Sequence, residues 1–174
     1  MERFLTLRRE RIAPADMAHQ VSQMVRAGQV TPESIEKLSL SCPLGEILAE
    51  MLRNRHMGND AIRQCAQDKG SEISHTLNRY LPALATLATV APLMGLFGTV
   101  VGMIEIFAAY RPDGTDPSQL ARGISVALYN TGFGILIAIP VMIAHRIFKS
   151  KIESLLVSME KSARQIEAAL RVQP

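Results

Sequence analysis

The sequence predicts an all-α membrane protein in which two transmembrane helices form an antiparallel hairpin and carry long cytoplasmic helical extensions. Two apolar stretches carry this prediction: no residue from Leu81 to Ile104 is charged, and neither is any residue from Gly123 to Ala144. At the rise of an α-helix, each stretch is long enough to cross the ~30 Å hydrocarbon core of a bilayer. The sequence between them is short, so the two spans are expected to run in opposite directions.

The composition argues against several classes of function. The chain is 48% hydrophobic and 20% charged, and nearly all of its continuous apolar sequence lies in the two spans. Its net charge of +3 comes without runs of basic residues interleaved with aromatics, and Trp is absent, so no nucleic-acid binding is expected. Cys42 and Cys65 show neither metal-ligand nor CxxC spacing and are typical of reduced cytosolic thiols. The histidines lack partners at ligand spacing and no catalytic set occurs, so we expect no metal, no cofactor and no enzymatic activity.

Three amphipathic helices are predicted ahead of the first span. Pro14 opens the first helix and Gly28 ends it. Thr31 followed by Pro32 is a start signal for the second helix, and a third apolar stripe follows Pro43. Each helix has a single apolar face, so we expect them to pack on one another and on the stem of the membrane helix.

The first span is predicted to begin far ahead of its apolar part. A helical stripe from Asn59 leads into Leu81 without a stop signal, which predicts one long helix from about Asn59 to Phe107. Gly70 and Pro82 are the positions at which this helix would bend, since proline removes a backbone hydrogen bond.

The tail from His145 to Pro174 is predicted to continue the second span as a helix, and Pro140 should kink that span unless a neighbour satisfies the freed carbonyl. Two series of apolar residues in the tail repeat every seven positions: Ile152, Met159 and Ile166, and Leu156, Ala163 and Leu170. Two interpretations stay open. The tail is either an amphipathic helix on the protein's own core or a seam for self-association around an axis.

Lysine and arginine near the spans predict the orientation of the chain. The side of the termini carries Arg63, Lys69, Arg79, Arg146, Lys149, Lys151, Lys161 and Arg164, whereas the loop side carries Arg111 and Arg122. Because cytoplasmic segments carry the excess of basic residues, both termini are expected in the cytoplasm. The predicted division is a cytoplasmic helical region over 1–80, transmembrane helices over 81–109 and 121–146, a short external loop over 110–120 and a cytoplasmic helical tail over 147–174.

Small residues line one face of each span. They include Gly95, Gly98 and Gly102 in the first span and Gly134 in the second. A glycine in a helix interior costs about 1 kcal/mol, but in a membrane it lets neighbouring helices approach closely. These four glycines are therefore predicted to pack helices together.

Thr99 and Thr131 place one hydroxyl in the middle of each small face. Residues at equal depth in an antiparallel hairpin have a constant sum of residue numbers. The outer ends, Phe107 and Ile124, give 107 + 124 = 231, and the two threonines give 99 + 131 = 230. We favour a shared polar layer that lines an interior path. The alternatives are chance and, for Thr99, a hydroxyl bonded back to a carbonyl one turn earlier.

Two sequence blocks resemble the MotA/TolQ/ExbB proton-channel family: APLMGLFGTVVGMIEIF (Ala91–Phe107) and GISVALYNTGFGILIAIPVMIAHR (Gly123–Arg146). The resemblance is firm over about 80–147. It implies a subunit of an inner-membrane ring, normally pentameric, around two helices of an ExbD-, TolR- or MotB-like single-span partner that carries an intramembrane aspartate. Proton flow would then drive periplasmic work, such as protein or biopolymer transport of the TonB/Tol type. In the family, the threonines matching Thr99 and Thr131 line the proton path.

The chain departs from the family pattern in two places. The family usually has an earlier membrane helix, and MERFLTLRRERI resembles the cytoplasmic exit of such a helix. We therefore expect the reading frame upstream of Met1 to encode another apolar segment of about 20 residues; otherwise the subunit lacks one wall. ExbB- and TolQ-like members also carry a glutamate where this chain has Val126, which resembles the MotA branch. Glu105 is expected to be an interfacial carboxylate, and the alternative is a proton relay. The alternative functions are a structural two-helix membrane oligomer and a flagellar-stator-like member of the MotA branch.

Overall fold

The computed structural model describes residues 12–14, 16–109 and 117–171. This part of the chain contains no strand, which confirms the all-α prediction. Its helices are α1 (Met17–Arg26), α2 (Pro32–Ser41), α3 (Pro43–Arg53), α4 (Asn59–Asn78), α5 (Leu81–Ala109) and α6 (Pro117–Arg171). Two helical stretches, Asn59–Ala108 and Leu120–Arg171, are long and apolar enough to cross a membrane. The basic residues 1–11 and most of the predicted loop, 110–116, lie outside the described residues.

The chain divides into two compact units. The polar unit comprises residues 1–79 and 150–174, and the apolar unit comprises residues 80–149. Helices α1 to α4 and the last part of α6 belong to the polar unit, whereas α5 and the first part of α6 belong to the apolar unit.

Two of the predicted helix boundaries in the polar unit are observed, and one is wrong: α1 begins at Met17, after Asp16, and not at Pro14. Thr31 caps α2: its Oγ1 accepts a hydrogen bond from Ser34 N at 3.2 Å, and Ser34 Oγ accepts one from Thr31 N at 3.0 Å. Gly28 follows α1 with a φ of 66°, a left-handed conformation that glycine adopts without strain. The predicted end at Gly28 and the predicted start at Thr31 are therefore confirmed.

Large aliphatic side chains form the core of the polar unit. Those on α3 include Leu44, Leu48 and Met51, and those on α6 include Ile152, Met159 and Ile166. The α6 residues are one of the two seven-residue series predicted for the tail, and all three are buried within the chain itself. For this series, the structure therefore favours the interpretation of an amphipathic helix on the protein's own core. Self-association through the tail stays a prediction.

Lys69 joins α4 to α3. Its Nζ lies 2.9 Å from Glu72 Oε2 on the same helix and 3.2 Å from Glu46 Oε2 on α3. Hydrogen bonds to Glu72 and then to Glu46 raise the pKa of Lys69 above its usual value, because both favour the protonated amine.

The helix predicted from about Asn59 to Phe107 forms as one helical stretch, Asn59–Ala108, that a short turn divides into two helices. Helix α4 ends at Asn78, a turn occupies Arg79 and Tyr80, and α5 begins at Leu81. Pro82 accounts for the position of the turn. It has no N–H to donate to the carbonyl of Asn78 four residues earlier, and its ring would crowd that carbonyl. Arg79 keeps helical dihedral angles, so the irregularity is a short turn within the helical stretch, next to Pro82, one of the two positions predicted for a bend.

Pro140 does not end the second apolar helix. Helix α6 runs from Pro117 to Arg171 with Pro140 inside it. The predicted helical continuation into the tail is therefore confirmed, and a kink at Pro140 stays a prediction.

Candidate functional site

Helices α5 and α6 approach most closely where both carry glycine. A Cβ atom added at Gly95 would lie 2.7 Å from the carbonyl oxygen of Asn130 and 2.9 Å from the Cα of Thr131. A Cβ atom added at Gly134 would lie 2.6 Å from the carbonyl oxygen of Ala91. At these two positions the helices are in backbone contact, and no larger side chain fits between them.

Further contacts show the direction in which α6 passes α5. A Cβ at Gly102 would meet Ala127 Cβ at 2.9 Å, and a Cβ at Gly123 would meet Ile106 Cγ1 at 2.7 Å. The paired residue numbers have a nearly constant sum: Ala91 with Gly134 gives 225, Gly98 with Asn130 gives 228, and Gly102 with Ala127 gives 229. A nearly constant sum means that the two helices run antiparallel along this contact. The connecting residues lie outside the described residues, and the transmembrane hairpin as a whole stays a prediction.

Thr99 and Thr131 lie close to one level on this register. With a sum of 229, Thr99 is level with Asn130, and Thr131 is level with Gly98, one residue away. Both threonines are half-buried. All four predicted packing glycines lie at the contact between α5 and α6 of one chain. That they also hold separate copies together stays a prediction, as does the role of the threonines.

The two threonines differ in their hydrogen bonds. The Thr99 hydroxyl donates to the carbonyl oxygen of Leu96 at 2.6 Å, which is the local bond considered in the sequence analysis. Thr86, Thr89 and Ser125 bond back to their own helices in the same way. The Thr131 hydroxyl makes no hydrogen bond to any residue that the structure describes. Of the two threonines, Thr131 is therefore the one whose hydroxyl is available to donate a hydrogen bond.

An open groove of about 720 Å³ lies along the contact between α5 and α6. Glu105 and Arg122 line it towards the predicted loop, and Asn130 lines its opposite end. Val126, where the family resemblance would place a glutamate, lies in the wall one turn from Asn130. Glu105, which is predicted at the membrane interface, lines this groove.

Asn130 is a polar residue of the groove that was not among the site residues predicted from the sequence. Its side chain packs against Gly98, and both residues line the groove. The sum 98 + 130 = 228 indicates the depth of Asn130, but it does not indicate which way its side chain faces.

The family model of the "MotA/TolQ/ExbB proton channel family" matches residues 40–161, which include all of α5 and most of α6. The biopolymer transport protein exbB1 of Vibrio cholerae is 38% identical over 93 residues, which cover 52% of this chain and 41% of that protein. The Tol-Pal system protein TolQ of Pseudomonas aeruginosa is 35% identical over 95 residues, covering 54% and 41%. The putative biopolymer transport protein ExbB-like 3 of Synechocystis sp. is 27% identical over 145 residues, covering 80% and 69%.

The chain thus spans about two fifths of the length of the exbB1 and TolQ proteins that it matches. The matched family region contains the sequence blocks of the resemblance, the glycine contacts and both threonines. The chain belongs to the MotA/TolQ/ExbB proton channel family.

Proposed function

We propose that this chain is a subunit of an inner-membrane proton channel that couples the proton gradient to work on the periplasmic side, in protein or biopolymer transport of the TonB/Tol type. One observation carries the proposal: Thr99 and Thr131 lie about level in the middle of two apolar helices. Within hydrocarbon, polar side chains are costly and are usually retained for a pathway or a binding partner. Membership of the family and the names of its relatives support the same function.

In this proposal, the two hydroxyls have different tasks. The Thr99 hydroxyl already donates a hydrogen bond to the carbonyl oxygen of Leu96, so its oxygen is left to accept a hydrogen bond from water or from a carboxylic acid. Thr131 has its donor available within the described chain, so it donates to a carboxylate or to water. Threonine does not itself change protonation state near neutral pH. The proton carrier is therefore a carboxyl group supplied by another chain.

The proposed partner is a single-span protein of the ExbD, TolR or MotB kind that carries an intramembrane aspartate. Copies of this chain would surround the partner's helices in a ring, pentameric by resemblance to the family. The exposed surface of the apolar unit supports such an assembly. Only 11% and 17% of the most apolar segments of the two spans are buried within the chain. The remaining apolar surface is available to lipid, to other copies and to the partner.

The proposed orientation has both termini in the cytoplasm and the segment 110–120 in the periplasm. The eight basic residues on one side, against two on the other, support it. The proposed path residues Thr99 and Thr131 would then lie about midway through the membrane, with Gly95, Gly98, Gly102 and Gly134 holding the helices close enough to exclude lipid between them.

A structural two-helix oligomer is the second candidate function. The hydrogen bond from Thr99 to Leu96 favours it, because a hydroxyl satisfied within its own helix needs no outside partner. In that role, the glycine contacts serve packing alone. A flagellar-stator-like member of the MotA branch is a variant of the first proposal, and the apolar residue at Val126 is the feature that favours it.

Reconstitution of the complete subunit with its partner in lipid vesicles tests the proposal. An imposed pH gradient should drive proton entry, reported by a pH-sensitive dye inside the vesicles. Entry should stop when the partner's aspartate is replaced by asparagine, because asparagine takes the same space but cannot carry a proton. Vesicles with the subunit alone are the control. Equal proton entry with the complex, with its asparagine variant and with empty vesicles would leave the structural oligomer as the better account.

A further inference from the structure

The side chain of Asn130 packs against α5 at Gly98, where glycine has no side chain to keep it away. A Cβ atom added at Gly98 would lie 2.9 Å from Asn130 Cβ, 3.1 Å from its Cγ and 3.0 Å from its Nδ2. The amide of Asn130 therefore packs directly on the backbone of α5. This contact blocks movement of the side chain towards α5, and Asn130 is otherwise exposed within the chain.

The amide is not satisfied within the described part of the chain. No hydrogen bond joins its side chain to any residue there. Asn130 lies seven residues inside the uncharged stretch that begins at Gly123, which corresponds to a depth of about 10 Å along the helix. An amide at this depth is costly unless it has a partner, and it can both donate and accept a hydrogen bond.

Asn130 lies at one end of the groove, and the charged side chains of the groove lie at the other end. The groove's charged side chains are Glu105 on α5 and Arg122 on α6. Glu105 is seven residues from Gly98 and Arg122 is eight residues from Asn130, so both lie roughly 10 Å or more along their helices from the amide. The walls between are apolar: Phe97, Val101, Ile106, Val126 and Ala127. At its inner end, the groove thus presents one hydrogen-bonding side chain between apolar surfaces.

We propose that the Asn130 amide binds the carboxyl group of a partner helix that enters this groove. The apolar walls suit an aliphatic helix, and the amide suits a single carboxyl group on it. Nδ2 donates to the carboxylate, and Oδ1 accepts from the carboxylic acid, so the group is held in both protonation states. Asn130 itself neither takes up nor releases a proton; the carboxyl group gains it from one side and releases it to the other. This inference rests on the proposed function and adds a third residue to Thr99 and Thr131.

A change in the pH dependence of proton flux distinguishes this role from simple packing. A hydrogen bond from a neutral amide is stronger to a carboxylate than to a carboxylic acid, because the charged acceptor attracts the donor more strongly. Removing the amide therefore disfavours the ionised form, and the midpoint of the flux profile should move to higher pH. Glu105 and Arg122 stay in place in every variant, so their effect on the profile is constant.

The experiment measures proton flux against pH for the complete subunit and its partner in vesicles, using Asn130→Leu and Asn130→Ala. Leucine has a similar volume and no amide, whereas alanine keeps the Cβ that touches Gly98 and cannot clash. Both variants should move the midpoint up by about one pH unit, the value of one hydrogen bond to a charged group. Tyr129→Phe is the matched control. It removes a hydroxyl from the neighbouring, exposed position, which is not part of the groove lining, and should leave the profile unchanged.

The size of the complex in detergent shows whether each variant assembles. If Asn130→Leu fails to assemble, Asn130→Ala decides. An unchanged midpoint in an assembled Asn130 variant, with a wild-type complex that conducts protons, overturns this inference and leaves the proposed function intact. A wild-type complex that conducts no protons overturns both.

Discussion

The polar and apolar units are built from the same element and bury opposite kinds of side chain. In the polar unit, most of the fully buried residues are large, such as Leu48, Met51 and Ile152. In the apolar unit, the buried residues are mostly small: Ala88, Gly95, Ala127, Gly134 and Ala138. Its large side chains face outward, among them Leu93, Phe97, Phe133 and Leu136, each more than 60% exposed within the chain. The difference shows that a large apolar side chain gains from burial only where it would otherwise contact water.

Helix α6 takes part in both arrangements. Between Ala127 and Ala138, its buried positions are small, and from Ile152 onward they are mostly aliphatic. In water, burying a large apolar side chain stabilises a fold by about 1.5–3 kcal/mol. Lipid tails solvate such a side chain equally well, so in a membrane close packing of small residues contributes more. The change along one helix marks the passage from one environment to the other.

The largest effect should come from a large side chain at the closest contact of the apolar unit. In Gly134→Leu, the new side chain meets the backbone of Ala91 and Gly95, which cannot move aside without separating the helices. We expect loss of the assembled protein in detergent, measured by size-exclusion chromatography. Gly132→Leu is the matched control, because a Cβ at Gly132 has nothing within 4 Å and should be tolerated. Equal recovery of both variants would contradict the close contact.

A smaller effect is expected from the opposite change in the polar unit. Leu48→Ala removes a completely buried side chain and should lower the free energy of unfolding by about 2–5 kcal/mol, through lost burial and the cavity left behind. Thermal unfolding followed by circular dichroism measures the change. Leu40→Ala is the control, since Leu40 is 81% exposed and its truncation should change stability by less than about 0.5 kcal/mol. Similar losses in the two variants would mean that the polar unit does not bury Leu48 as described.

The smallest effect is expected at Lys69, where only part of the side chain is exposed and the ion pairs lie near the surface. Lys69→Met should lower stability by less than about 1 kcal/mol. Hydrogen bonds to Glu72 and Glu46 raise the Lys69 pKa from 10.5, so the contribution is fully present below that pH. It should disappear as the pH rises through the raised folded-state pKa. A difference between wild type and variant that vanished already at neutral pH would contradict this assignment.

The sequence predicted local features of the fold better than the contacts between helices. Thr31 and Gly28 could be assigned because capping depends on residues within one turn. The turn at Arg79 and Tyr80 lies next to Pro82, which the sequence indicates as an irregularity, but the sequence does not specify whether the helix bends or ends there. Which tail series is buried also depends on partners far away in sequence, and a heptad pattern does not specify them.

The sequence predicted the depth of the candidate site residues but not which way each side chain faces, because facing depends on contacts between helices. The depth of Thr99 and Thr131 follows from counting residues along two antiparallel helices. The residue-number sums of the glycine contacts, 225 to 229, lie one to five below the sum of 230 for the two threonines. The position of Asn130 depends on the rotation of α6 about its own axis. That rotation is set by the backbone contacts of Gly95 and Gly134 and is not visible in a count of depth.

Proton flux through threonine variants tests the central claim most directly. The claim is that the hydroxyls of Thr99 and Thr131, and not the volume of these side chains, serve the path. In the complete subunit with its partner, the double variant Thr99→Val, Thr131→Val keeps the shape and removes both hydroxyls. Flux should fall at least about tenfold, equivalent to one lost hydrogen bond of ~1.4 kcal/mol, while the complex keeps its size. The double serine variant should retain much of the flux. Undiminished flux in the valine variant would contradict the account and leave both threonines with a packing role alone.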